Sequence, residues 1–323
     1  MKLSWIRSAL ASTIFAVAAG ASAQTYPDRP ITMVVPFTPG GVSDITARPL
    51  AIGIAANLGQ NVVIENKGGA GGAIGMAAAA KARPDGYTIM MALPSIITIP
   101  ISDRISGRAA TFQLNQFRPV ARLTADPTVL VVRADSPWNT LADFVKDVRS
   151  KPGKVSYSSS GIYGTTHVAM EILSHSAGLQ MIHAPFSGGG QQVNALLAGQ
   201  VDATMQTPGV MAGHLAAGKV KILAAMSRDR VPSLPSVPTA SEQGYDGEFY
   251  LWTGIFAPAG TPEPVISRLR ASIKEASGHT AFTSAMSAQK TPVQFLDSEE
   301  FTRFLAEDTK RLNAVLTKMG KLE

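Results

Sequence analysis

Three turns rich in Gly, Ser and Thr are the places where this chain could do chemistry. The first runs from Thr38 to Asp44 through Gly40 and Gly41, the second from Ser158 to Thr166, and the third from Ser187 to Gly190. Each stands between a strand-like stretch and a helix-like one. A helix N-terminus carries N–H groups without intrahelical partners and a partial positive charge, so it holds an anion without needing an arginine. Glycine lets the main chain approach such an anion closely. One such turn means little, but three in one chain favour an anion clamp.

Other chemistries fit less well. Gly213 to Val220 matches GxxxxGK but ends in Val where a phosphate loop needs Ser or Thr, and it follows a helix. "GGAGGAIG" opens a helix after a strand, yet no register satisfies GxGxxG, so it reads as a tight turn. "SYSSSGIYG" contains no GxSxG elbow, although a serine hydrolase built by geometry alone stays open. His167, Glu171 and His175 share helical spacing, but without HExxH or cysteine the expectation is no metal and no cofactor. The acids, among them Asp143, Asp147, Glu299, Glu300 and Glu307, do not converge as a glycosidase pair would.

The elements that must position these turns belong to an exported protein. Lys2 and Arg7 precede an apolar stretch that ends in small residues, which predicts a signal peptide cleaved after Ala23 and a periplasmic location. The chain has 323 residues and no cysteine, so disulfides, thiol catalysis and a lipid-modified cysteine anchor are excluded. Its formal charge of +6 is scattered, with no nucleic-acid footprint. Alternating strand and helix patterns predict an α/β fold with largely parallel sheets. "ITMVVPF", "NVVIENK" and "GYTIMMAL" begin one set and "TVLVVRA" a second; "SEEFTRFLAEDTKRLNAVLTKMG" is an amphipathic helix starting near Ser298. Pro49 is expected to kink the first helix or delay its start. The order predicts two lobes, residues 24–124 plus 252–323 and residues 125–251, with a hinge between them and a ligand cleft at their junction.

Several segments in this order resemble substrate receptors of the tripartite tricarboxylate transporter system. They include "YPDRPITMVVPFTPGGVSDITARPLA", "NVVIENKGGAGGAIGMAAAAKARPDGYTI", "LLAGQVDA" and "WTGIFAPAGTPEPVI", and they cover essentially the whole mature chain. The resemblance implies a two-lobed periplasmic-binding-protein fold that closes over a carboxylate and docks to membrane permease subunits. It implies a monomer and a receptor, not an enzyme; a sensor protein as docking partner would need the same binding chemistry. Carried over to this chain, the ligand contacts fall on Phe37, Thr38, Gly40, Gly41 and Asp44 in the first turn, with Asp44 either an N-cap or a contact. In the second lobe they fall on Ser158, Ser159, Thr165, Thr166 and His167, with Ser95, Ser187, Gly188 and Gln206 added.

The chain departs from the family pattern at three places. Thr38 stands where the family usually repeats Pro, "SGIYGTTH" inserts Ile162-Tyr163, and "APFSGGGQQ" puts Phe186-Ser187 where Tyr-Lys is usual. Losing a lysine and gaining Tyr163 and Phe186 points to a dicarboxylate or an aromatic carboxylate. Aromatic rings stack on an aromatic ligand for roughly 0.5–1.5 kcal/mol beyond area burial. The competing expectation is that Tyr163 faces solvent and Phe186 is core.

Overall fold

The computed structural model describes residues 26–321; the expected signal peptide lies outside them. The first half of the chain alternates β1 (Ile31–Val35), α1 (Val42–Leu58), β2 (Val62–Asn66), α2 (Ala73–Ala80), β3 (Thr88–Ala92) and α3 (Ser95–Ile105). A long strand, β4 (Phe117–Arg133), then leads to α4 (Leu141–Ser150), β5 (Ser156–Ser159), α5 (Thr165–Ala177), β6 (Ile182–Pro185), α6 (Gly189–Leu197), β7 (Ala203–Gln206), α7 (Pro208–Ala216) and β8 (Val220–Met226). The chain returns through β9 (Tyr250–Pro258) to α8 (Glu263–Gly278), α9 (Thr280–Ala288), β10 (Val293–Asp297) and α10 (Ser298–Met319).

The strands line up as β2-β1-β3-β9-β4-β7-β5-β6, with β8 and β10 also pairing to β4. The first half of β4 pairs with β9 from Phe117 to Pro127, and its second half pairs with β7 and β8 from Thr128 onward. β4 therefore joins two sheets, and β9 is the return path beside it. β1, β2 and β3 are parallel in one sheet, as are β5, β6 and β7 in the other. The central strands β1 and β3 are buried on both faces and read as near-continuous apolar runs, whereas β5 is Ser-Tyr-Ser-Ser and the edge strands β2 and β6 are partly exposed. Ile31, Met33 and Val35 pack into a core with α1, α8 and α9, whereas Val34 turns to the opposite core.

Two local expectations change. Pro49 lies inside α1, which starts at Val42 without delay. α10 is capped by Asp297, one residue before Ser298, through a reciprocal pair in which Glu300 accepts from the Asp297 N–H.

Candidate ligand site

Parallel α/β sheets gather their helix N-termini at the carboxyl ends of the strands, where the crevice for a ligand forms. Here α1 follows β1, α3 follows β3, α5 follows β5 and α6 follows β6. The N-caps of α1, α5 and α6 are Gly41, Gly164 and Gly188, and that of α3 is Pro94. None of the four receives a side-chain cap. The N–H groups of Asp44, Ile96 and Ile97 turn back onto the carbonyls of Gly41, Leu93 and Pro94, so the groups left for water or an anion are those at the very start of α1, α5 and α6. Beside them lie buried hydroxyls with no hydrogen-bond partner among the described residues: Thr38 Oγ1, Ser43 Oγ, Ser95 Oγ and Thr165 Oγ1. Unpartnered buried hydroxyls carry a desolvation cost, and their gathering at uncapped helix starts marks a place built for an acceptor.

The two halves touch across this crevice through glycine main chain. A Cβ built on Gly41 would lie 3.3 Å from Gly189 N, and one on Gly188 would lie 2.4 Å from Thr38 Oγ1. A Cβ on Gly161 would lie 2.3 Å from Gly71 N. Side chains larger than hydrogen would hold these turns apart.

A model of the tripartite tricarboxylate transporter receptor family matches residues 46–321. The chain belongs to that family. A Bordetella pertussis relative, protein BugT, is 33% identical over 94% of this chain and 93% of its own. The periplasmic binding protein BugD is 32% identical with a TM-score of 0.85, over 91% of this chain and 98% of BugD. MatC from Rhodopseudomonas palustris, solved with bound malate, is 30% identical with a TM-score of 0.84, over 90% and 99%. A further R. palustris protein, solved with adipate, is 28% identical with a TM-score of 0.83, over 91% and 98%. The fold is therefore the two-lobed periplasmic-binding-protein fold, and the family is one of substrate receptors, not an enzyme class.

In this receptor Asp44 shapes the first turn. It is the third residue of α1, not its cap, and its carboxylate accepts from the Gly40 N–H at 3.0 Å, from Arg48 and from Asn66. Burial pushes the Asp44 carboxyl up, but those hydrogen bonds outweigh it and hold the group below the ordinary carboxylate range. The Gly40 N–H is thereby committed to Asp44, and the donors left at this turn belong to the start of α1. Asn66 also donates to the Phe37 carbonyl, which fixes the turn against β2. Ser43 was not foreseen as a site residue; its position between Gly41 and Asp44 was the available signal.

The second-lobe candidates divide into two groups. Ser158 donates to the Gln192 carbonyl and to Thr204, and Thr166 accepts from the Ser160 N–H and donates to Gln192. Ser159 holds the Gly161 turn and contacts His183 Nε2 at 2.6 Å. These hydroxyls build the turn from within. Thr165 and His167 keep unpartnered buried polar atoms at the start of α5. Gln206 ends β7, and its Nε2 would meet a Cβ on Gly189 at 3.2 Å, beside the start of α6. Ser187 is exposed; Phe186 is half-buried and packs against the edge of the core formed by β4, α6, α7 and β8.

Tyr163 does not face solvent either; it is 4% exposed. Its N–H donates to His167 Nδ1, its carbonyl accepts from Thr98, and its hydroxyl lies 3.2 Å from Ser106. With φ at 55° it occupies the left-handed region, which is strained for a non-glycine residue and persists only when the surroundings impose it.

The Ser159–His183 contact does not make a hydrolase. Ser159 is fully buried, and the Glu171 carboxylate is bonded to the Tyr157 hydroxyl and does not orient either histidine. His183 instead belongs to a ring stack, 3.9 Å from His167 and 4.9 Å from Tyr157 between centroids. Burial lowers His167 to about 3, with His183 adding to the effect, and burial lowers His183 to about 4. Because Tyr163 donates to Nδ1, the proton of neutral His167 sits on Nε2, a buried donor. Both histidines are neutral when folded and become charged more readily when unfolded. The stability they contribute is therefore present above about pH 6.5 and lost as pH falls through about 4 and then 3. Urea titrations at pH 7 and 4.5 should show a smaller acid loss for His183→Phe than for wild type; an equal loss would place the acid sensitivity elsewhere.

Proposed function

We propose that this receptor captures a small dicarboxylate between lobes formed by residues 24–124 plus 252–323 and by residues 125–251. It then delivers the ligand, as a periplasmic monomer, to permease subunits of a tripartite tricarboxylate transporter. The observation that carries the reading is the set of orphan hydroxyls on Thr38, Ser43, Ser95 and Thr165 at uncapped helix N-termini. Such donors satisfy carboxylate oxygens without a cation, and Arg48, the guanidinium beside the first turn, is already paired with Asp44. Malate and adipate in the two R. palustris relatives support the same ligand class.

The test is a thermal-shift panel of aliphatic dicarboxylates, citrate, amino acids and aromatic acids on ligand-free protein. A true ligand at ~100 times its Kd adds about 2.7 kcal/mol of stability. Thr165→Val and Ser95→Ala should each weaken binding about tenfold, since a hydrogen bond to a charged group is worth about 1.5–3 kcal/mol. Their ligand-free melting should not fall, because each change removes an unpartnered hydroxyl. A panel without any shift would overturn the carboxylate reading.

A further inference from the structure

Tyr163 is held from both halves of the molecule. Its turn leads from β5 into α5, on the sheet that β5 shares with β6 and β7. The helix that meets it, α3, follows β3 in the other sheet. On its own side the Tyr163 N–H donates to His167 Nδ1 at 2.9 Å, and His167 is fixed in the ring stack with His183 and Tyr157. Three contacts cross to α3 and the loop after it. The Tyr163 carbonyl accepts from Thr98 Oγ1 at 2.8 Å, its hydroxyl lies 3.2 Å from Ser106 Oγ, and the Arg108 guanidinium stands 5.4 Å from the ring centroid. The main chain beside it is equally close, since a Cβ on Gly71 would lie 2.8 Å from the Ile162 carbonyl oxygen.

These crossing contacts exist only while the two halves are together. Thr98 is fully buried and Tyr163 is 4% exposed, so their bond forms away from water, where it is stronger. Parting the halves returns both groups to solvent and uncovers the tyrosine ring. The left-handed backbone of Tyr163, tied to His167, presents the carbonyl in a fixed direction, so little ordering is needed to form the bond. None of Thr98, Ser106, Arg108 and Tyr163 supplies one of the orphan hydroxyls at the helix starts.

We propose that Tyr163 is an interlobe latch, through which Thr98 and Ser106 hold the receptor closed for part of the time before any ligand arrives. The assignment rests on the two-lobe division above and not on the nature of the ligand. Apparent affinity scales with the fraction of molecules in the binding-competent state, so the latch contributes one factor common to every ligand of the closed form.

The chain has no cysteine, so two introduced cysteines can carry spin labels at chosen places. Val63 on β2 and Ile182 on β6 are exposed and lie on the first and last strands of the strand order. The separation of labels at Val63→Cys and Ile182→Cys therefore reports closure, read by pulsed electron paramagnetic resonance. Ligand-free protein should show a closed separation, that of the structure, beside an open one. Thr98→Val keeps the side-chain shape without the donor and should lower the closed-to-open ratio about fivefold. Tyr163→Phe, which loses only the bond to Ser106, should lower it less. Ser102→Ala removes a buried, unpartnered hydroxyl from the same helix and should leave the ratio unchanged. A wild type with only the open separation, or an unchanged ratio in Thr98→Val, would overturn the latch. Calorimetry with malate and adipate adds a second arm: Thr98→Val should weaken both by the same factor, and unequal losses would make Thr98 a ligand contact and not a latch. If neither acid binds, the carboxylate reading suffers alone, because the ligand-free separations still decide the latch.

Discussion

Replacing Gly190 with Ala should weaken ligand binding about tenfold or more while ligand-free melting stays the same or rises. Gly190 is the second residue of α6, where alanine is the better helix former by up to about 1 kcal/mol. Within its own lobe the added methyl is therefore harmless. Across the cleft it would stand 2.3 Å from the carbonyl oxygen of Pro39, a main-chain atom that cannot rotate away. Overpacking of this kind costs about 1–3 kcal/mol, and every 1.4 kcal/mol is tenfold in affinity. The free protein escapes the clash by parting its lobes. A ligand that touches both lobes favours the closed state and meets the full penalty. Gly213→Ala is the control: it sits in α7 with nothing within 4 Å of the added carbon, so its affinity should match wild type. Calorimetry gives the affinities and small-angle scattering the degree of closure. Wild-type affinity in Gly190→Ala would mean that these glycines do not meet in the bound state.

The turns around the site were legible because glycine-rich segments and helix starts leave a local signature. Which hydroxyls face the crevice was not legible. Ser158 and Thr166 are satisfied by Gln192 and Thr204, and Asp44 by Asn66; those partners arrive from other elements through the fold. Thr165 and Thr166 are neighbours in sequence, yet one hydroxyl is bonded inside the lobe and the other is left without a partner. Only the helix orientation separates them.

The fold was legible in its alternation and obscure where a local pattern misleads. α3 carries "SIITIPI", a β-branched run with Pro100 inside, which reads more easily as a strand. Its helical state comes from tertiary packing, with Ile96, Ile97 and Ile99 all buried. The first half of β4 is interrupted by Arg118, Pro119, Arg122 and Asp126, so its pattern looks broken. Pro119 is tolerated because the register with β9 shifts between Pro119 and Ala121, and bulges are where strands accept proline. The part of the chain that joins the two sheets was thus the part hardest to read.

Asp126, at that junction, should make the receptor less stable as pH rises. Burial pushes its carboxyl from 3.8 up to about 7, against a lowering hydrogen bond from Thr291. Between those two values the folded protein binds a proton that the unfolded chain has released. Stability contributed by the protonated group is therefore full below about pH 4, declines as pH rises toward 7 and changes little above it. A rise of that size corresponds to roughly 4 kcal/mol at most. Asp126→Asn keeps the shape and an acceptor for Thr291 but cannot ionise, so it should be more stable than wild type by several kcal/mol at pH 8 and nearly equal to it at pH 4. The difference between the two proteins is the quantity to measure, by urea titration across this range. The absolute curve also contains His167 and His183, whose contribution has the opposite sign and is lost on acidification. Asp229, Arg230, Tyr250 and Lys290 line the cavity around Asp126, but they are present in both proteins and largely cancel in the difference. A difference that stays constant from pH 4 to 8 would mean that Asp126 is ionised in the fold, and that the junction between the sheets admits enough water to solvate it.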